Sequence, residues 1–236
     1  MYYVVLTRDA AKDAPLARRL DAVQIPHRSV PLLKHAPGPD HDELPGRLRE
    51  RWDWVVVTSP TAAAFLLKAW EQAGNPGLRV AAIGKGTARA LEAGGLPVSY
   101  TSPQAYGSYL AADLGGAGRV LWPTSALAGQ GLQKTLDKRG FRVIRLDVYL
   151  TLPRSLSEEE LEVLRGARVA ALASPSAVRA WVEATPARPA VAAIGRVSAE
   201  AALRAGFGKV WFPDNPGIEG WAQIIADVFR RETRRA

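Results

Sequence analysis

The chain of 236 residues has no cysteine and a single methionine. Without thiols it has neither a disulfide framework nor a thiolate metal site. No run of about 18 apolar residues occurs, so no membrane-spanning helix is expected. The start, Met1-Tyr2-Tyr3-Val4-Val5-Leu6-Thr7-Arg8, lacks the basic n-region of an export signal and reads as a first strand. The three histidines, His27, His35 and His41, fall in or beside one proline-bounded stretch with no ligand spacing, so no metal is expected. Gly84-x-Gly86 is followed by Arg89 where a dinucleotide fingerprint needs a third glycine. No Walker loop, G-x-S-x-G elbow or H-E-x-x-H helix occurs. These absences leave the expectation of a cytoplasmic α/β protein without a metal.

What the chain does have is a net charge of +8 and 47% hydrophobic residues. The charge suits a polyanionic partner such as phosphate, nucleic acid or a polycarboxylate. Part of it sits in Arg230-Arg231-Glu232-Thr233-Arg234-Arg235, which reads as a solvated helix end. No basic helix or basic-aromatic strand pattern supports nucleic acid. Arginine exceeds lysine, and alanine and proline are abundant, as in heat-adapted proteins.

Short apolar runs alternate with helical patterns of about 10–15 residues, the signature of βα units on parallel sheets. Strands are expected near 3–6, 25–30, 54–57, 80–83, 98–100, 119–122, 143–146, 168–172, 190–194 and 209–212. Helices are expected between them, including one near 106–114. Ser157-Glu158-Glu159-Glu160 carries a capping box. Two extended stretches ending in proline, near 31–39 and 148–153, read as a pair of antiparallel linkers.

An internal repeat organises the chain. Val57-Thr58-Ser59-Pro60-Thr61-Ala62 is echoed by Leu172-Ala173-Ser174-Pro175-Ser176-Ala177, and Ala82-Ile83-Gly84 by Ala193-Ile194-Gly195. Two tandem halves of about 118 residues follow. The expected fold is α/β: two flavodoxin-like parallel-sheet domains joined by a two-stranded antiparallel linker. One domain is discontinuous, 1–32 with 154–236; the other is 37–147; the ladder is 33–36 with 148–153. A sequential split near 118 would bury each linker inside a domain and leaves the pair unexplained.

In open parallel sheets ligands bind beyond the carboxyl ends of the strands, where helix N-termini present unpaired amides. The residues there are glycine, hydroxyl or basic: Thr7, Arg8, Ser59, Thr61, Gly84, Lys85, Gly86, Thr87, Thr124, Ser125, Ser174, Ser176, Gly195, Arg196, Ser198 and Gly217. Each helix terminus favours an anion by roughly 0.3–1 kcal/mol. The two glycine turns, each with a cation, read as jaws of one anion-binding cleft. A two-lobed solute-binding module without catalysis is the alternative.

Val5-Leu6-Thr7-Arg8, Val57-Thr58-Ser59-Pro60-Thr61-Ala62, Ala82-Ile83-Gly84-x-x-Thr87-Ala88-x-Ala90-Leu91, Val148-Tyr149-x-Thr151 and Ser174-Pro175-Ser176-Ala177 together resemble the uroporphyrinogen-III synthase family over essentially the whole chain. The resemblance implies two α/β domains and cofactor-free closure of hydroxymethylbilane, a linear tetrapyrrole with eight carboxylates, with its last ring inverted and water lost. It implies a proton donor at Tyr149, matching the family's tyrosine in the second linker, and substrate contacts at Thr87 and Ser174. It also implies a monomer supplied by hydroxymethylbilane synthase.

Overall fold

The computed structural model describes residues 2–102, 110, 113–115, 117–215 and 217–234. The chain divides into two compact units, 1–34 with 152–236 and 35–151. The helix expected near 106–114 falls largely outside the described residues.

The first unit holds β1 (Val4–Leu6), α1 (Ala10–Ala22) and β2 (His27–Ser29) from the start of the chain. The later segment supplies α6 (Glu158–Arg165), β9 (Val169–Leu172), α7 (Pro175–Ala184), β10 (Ala190–Ala193), α8 (Arg196–Arg204), β11 (Val210–Trp211) and α9 (Ile218–Arg234). Its five strands lie in the order β11-β10-β9-β1-β2, and all four neighbouring pairs are parallel. Numbered within the unit this is the order 2-1-3-4-5, the flavodoxin-like winding.

The second unit contains α2 (Leu44–Arg47), β4 (Trp54–Val57), α3 (Pro60–Gln72), β5 (Val80–Ile83), α4 (Lys85–Ala93), β6 (Tyr100–Ser102), β7 (Gly118–Ser125) and α5 (Gly131–Asp137). Two further strands, β3 (Leu33–Pro37) and β8 (Phe141–Pro153), span the unit boundaries at 34/35 and 151/152. The sheet order is β3-β8-β7-β4-β5-β6. Taking β7 as the first strand and β4 as the third gives 2-1-3-4-5 again, so this sheet is the same winding entered at a different strand.

The inner strands are buried on both faces, which is why Val4–Leu6, Trp54–Val57, Val80–Ile83, Val169–Leu172 and Ala190–Ala193 read as unbroken apolar runs. Side chains alternate across the pleat. Val55, Val57, Val80 and Ala82 feed one core, while Trp54, Val56, Ala81 and Ile83 feed the other. In the first unit Val4, Leu6, Val169 and Ala171 face α1 and α9, and Val5, Ala170 and Leu172 face the opposite core.

Strand ends differ from expectation where pairing overrides local pattern. The segments 143–146 and 148–153 are one strand, β8, because its first part pairs with β7 and its last part continues alongside β3. Gly118, just ahead of the strand expected near 119–122, opens β7 with φ +149, a backbone that suits glycine. The β3–β8 contacts join 32 with 154, 35 with 151 and 38 with 148, so the residue numbers sum to a constant and the strands run antiparallel. Gly38 makes this possible: a Cβ there would stand 2.1 Å from the Asp147 carbonyl oxygen.

Candidate functional site

At the carboxyl edge of the second unit, Ser59 is the N-cap of α3. It has an extended backbone, and its Oγ accepts from the Ala62 amide at 3.0 Å. Pro60 follows at the first helical position, where its missing N–H removes nothing from the helix. The Ser59 Oγ also lies 3.2 Å from the Tyr149 hydroxyl. Tyr149 is held on several sides: Phe65 of α3 stacks on it at 5.2 Å and 13°, and His35 of β3 meets it edge-on at 5.5 Å. The His35 Nδ1 is in turn 3.2 Å from the Thr151 hydroxyl. The phenol is 7% exposed and its backbone carbonyl accepts from the Ala126 amide. Tyr149 and Ser59 are both candidates in the sequence, though their pairing is not legible there. Phe65 and His35 were not singled out, although the pairing of linker positions 35 and 151 offered a signal for His35.

The turn after β5 places Gly84 at φ +79 with open space around it, and α4 starts at once with no side-chain cap. Its first-turn amides are of the kind that receive anions. Lys85 and Gly86 are exposed, whereas the Thr87 side chain is buried and its amide donates to the Gly84 carbonyl. At the end of β7, Thr124 is buried and the Ser125 Oγ accepts from the Leu127 amide. Thr61 lies in the first turn of α3.

The first unit repeats part of this pattern at its own edge. Ser174 caps α7 through the Ala177 amide at 3.1 Å, and the Ser176 Oγ accepts from Arg179. α8 begins at Arg196 without a side-chain cap, with Arg196 exposed and Ser198 buried. Gly195, however, is fully extended, φ −176 and ψ 178, a conformation open to any residue. Gly217, φ +150, precedes α9. None of the ion pairs among the described residues involves Lys85 or Arg196.

Two expected contacts are occupied by the fold itself. The Thr7 hydroxyl donates to the Ala171 carbonyl at 2.6 Å and is buried. The Arg8 guanidinium is clamped by Asp13 at 2.6 Å and by the Lys12 carbonyl, with its plane near the Trp221 ring. Asp13 is buried at 2% and its carboxylate also accepts from the Arg8 amide. A buried carboxylate needs such a partner. These two positions therefore brace the strand end and the β1–α1 turn.

No group of three or more His, Asp or Glu that would hold a metal is found among the described residues. Among those residues, no helix is long and apolar enough to cross a membrane.

Two doubly wound units carrying hydroxyls, uncapped helix N-termini and a clamped tyrosine make this a two-unit α/β protein with parallel sheets. A family model described as uroporphyrinogen-III synthase HemD matches residues 15–223. The chloroplastic uroporphyrinogen-III synthase of Oryza sativa subsp. japonica is 38% identical over 245 residues, 96% of this chain and 80% of that protein. The solved uroporphyrinogen-III synthetase of Helicobacter pylori 26695 superposes with a TM-score of 0.70 at 15% identity, covering 97% of this chain and 100% of that one. A mutant uroporphyrinogen III synthase from the extremely thermophilic bacterium Thermus thermophilus gives 0.62 at 20% identity, covering 99% and 100%. The chain belongs to the uroporphyrinogen-III synthase family, and with it to the enzymes of tetrapyrrole biosynthesis. The solute-binding alternative has no support.

Proposed function

We propose that this protein closes hydroxymethylbilane to uroporphyrinogen III as a cofactor-independent lyase, with Tyr149 as the proton donor. The observation that carries the residue assignment is the held phenol: a hydroxyl fixed by Ser59, Phe65 and His35. A positioned phenolic O–H is among the groups that act as general acids.

The Tyr149 O–H gives its proton to the terminal hydroxyl of the substrate. The C–O bond breaks, water leaves, and the pyrrole nitrogen's electron pair makes an azafulvenium cation. The substituted α-carbon of the last ring attacks that cation to form a spiro intermediate, which fragments and recloses with the ring reversed. The proton lost as the final pyrrole regains aromaticity equals the one donated, so the phenol is restored. Closure without guidance gives the uninverted isomer, and the protein's work is control of geometry.

The substrate's carboxylates suit Lys85 at one strand edge and Arg196 at the other, each beside an uncapped helix start. Thr87 and Ser174 are assigned as further contacts through the family motif; for Thr87, whose side chain is buried, the contact is with its turn. The net charge of +8 favours capture of a polyanion. We assign the protein as a monomer that works in the cytoplasm and receives its substrate from hydroxymethylbilane synthase. A gel-filtration mass near 25.4 kDa is the expected sign of the monomer.

The test is to generate hydroxymethylbilane in situ and resolve the product isomers. Uroporphyrinogen III is the expected product, and the uninverted isomer alone would overturn the reading. Tyr149→Phe should lower kcat by about 100-fold or more, the usual range of general-acid effects. A circular dichroism spectrum matching the parent would show the fold intact.

A further inference from the structure

Ser59 and Ser174 occupy equivalent places in the repeat, each an extended N-cap followed by proline and each accepting from the amide three residues on. Capping therefore accounts for one lone pair of each hydroxyl. Ser59 adds a second partner, the Tyr149 hydroxyl at 3.2 Å. A serine hydroxyl has one proton and two lone pairs. With one lone pair receiving the Ala62 amide, its proton is available for the phenol oxygen. That arrangement turns the phenolic proton away from Ser59.

The position of the pair adds direction. Ser59 stands at the N-terminus of α3, a helix of 13 residues, where the aligned peptide dipoles favour negative charge. The cap amide draws electron density from Oγ and strengthens its O–H as a donor, as happens along hydrogen-bonded chains. A bond from that O–H to the phenol oxygen grows stronger as the oxygen becomes phenolate. Phe65, on the same helix, stacks against the ring, so one element fixes both the plane of the phenol and the partner of its oxygen.

The geometry points to Ser59 as the positioning residue of Tyr149, donating to the phenol oxygen so that the phenolic proton faces the substrate and the resulting phenolate is held by the start of α3. This role rests on the assignment of Tyr149 as proton donor. It replaces direct substrate contact as the function of Ser59.

The informative variant is Ser59→Gly, because glycine is tolerated at an N-cap nearly as well as serine and removes the hydroxyl. We expect kcat to fall about tenfold, the scale of one lost charge-assisted hydrogen bond, with KM changed less than about twofold. Ser59→Thr, which keeps the hydroxyl, should recover most of the rate. In the Tyr149→Phe background Ser59→Gly should cost nothing further, since a residue acting through another is silent without it. Independently of turnover, protein labelled with carbon-13 at the tyrosine Cζ should show the Tyr149 resonance, assigned by its loss in Tyr149→Phe, displaced in Ser59→Gly and restored in Ser59→Thr. An unmoved resonance, or additive losses in the double variant, overturns the role of Ser59. A parental rate in Tyr149→Phe alone overturns the proton-donor assignment instead, and the labelled spectrum still reports on the Ser59 bond.

Discussion

Gly84 and Gly195 open equivalent turns, yet they use glycine differently. At φ +79 and ψ 148 Gly84 lies in backbone territory that residues with a Cβ occupy at a cost of about 1–3 kcal/mol. Gly195 is extended, with open space where a Cβ would point. Gly84→Ala should therefore lower the unfolding free energy by about 1–3 kcal/mol. Gly195→Ala should leave it unchanged or raise it by about 0.5 kcal/mol through the stiffer unfolded chain. Urea denaturation of the two variants beside the parent checks the contrast. In the sequence the two turns are twins, because residue type records what a position tolerates and not the φ it adopts. Arg8 teaches the same lesson. As a basic residue at a strand end it has the signature of an anion contact. Only the approach of Asp13, one turn into α1, shows the cation already neutralised.

Among the elements, α6 has the fullest local signal and behaves as its sequence says. The Ser157 Oγ accepts from the Glu160 amide, and the Glu160 carboxylate accepts from the Ser157 amide at 2.9 Å. Arg154 adds a guanidinium on Glu160 at 2.5 Å, with its own Nε on the Pro31 carbonyl, so the helix start is tied to the end of β8. Arg154, and then the Ser157 amide, hold the Glu160 carboxyl below the ordinary carboxylate range. A carboxyl so lowered contributes stability above its unfolded pKa of about 4.3 and loses it as pH falls through the lower folded value. Glu160→Gln should thus be less stable than the parent at neutral pH, with the gap closing below about pH 4. Urea midpoints at neutral and acid pH measure this. The capping box was legible because both partners are three residues apart. The full length of β8 was not, because the register of a strand is set by neighbours distant in the chain. Pairing to β7, whose sequence lies some 20 residues earlier, carries 141–149 across what reads locally as a break.

For the whole molecule the controlling fact is two compact units with separate cores, one formed by two segments of chain and one by a continuous segment. Such chains unfold outside the two-state approximation. Calorimetry should show two overlapping transitions, and Gly84→Ala should lower only the one belonging to the unit that contains 84. A single transition displaced as a whole would contradict this. The strand orders carry a different message. Counted by the repeat, the first half of the chain gives β1 and β2 to one sheet and β4, β5 and β6 to the other. The second half returns the exchange, with β7 and β8 to the second sheet and β9, β10 and β11 to the first. A fused pair of domain-swapped subunits has this construction, each copy lending its leading βαβ arm to its twin. Cut at the repeat boundary, neither half of the chain would hold a complete sheet as the strands are paired here. The antiparallel β3–β8 ladder marks the crossing of the two arms.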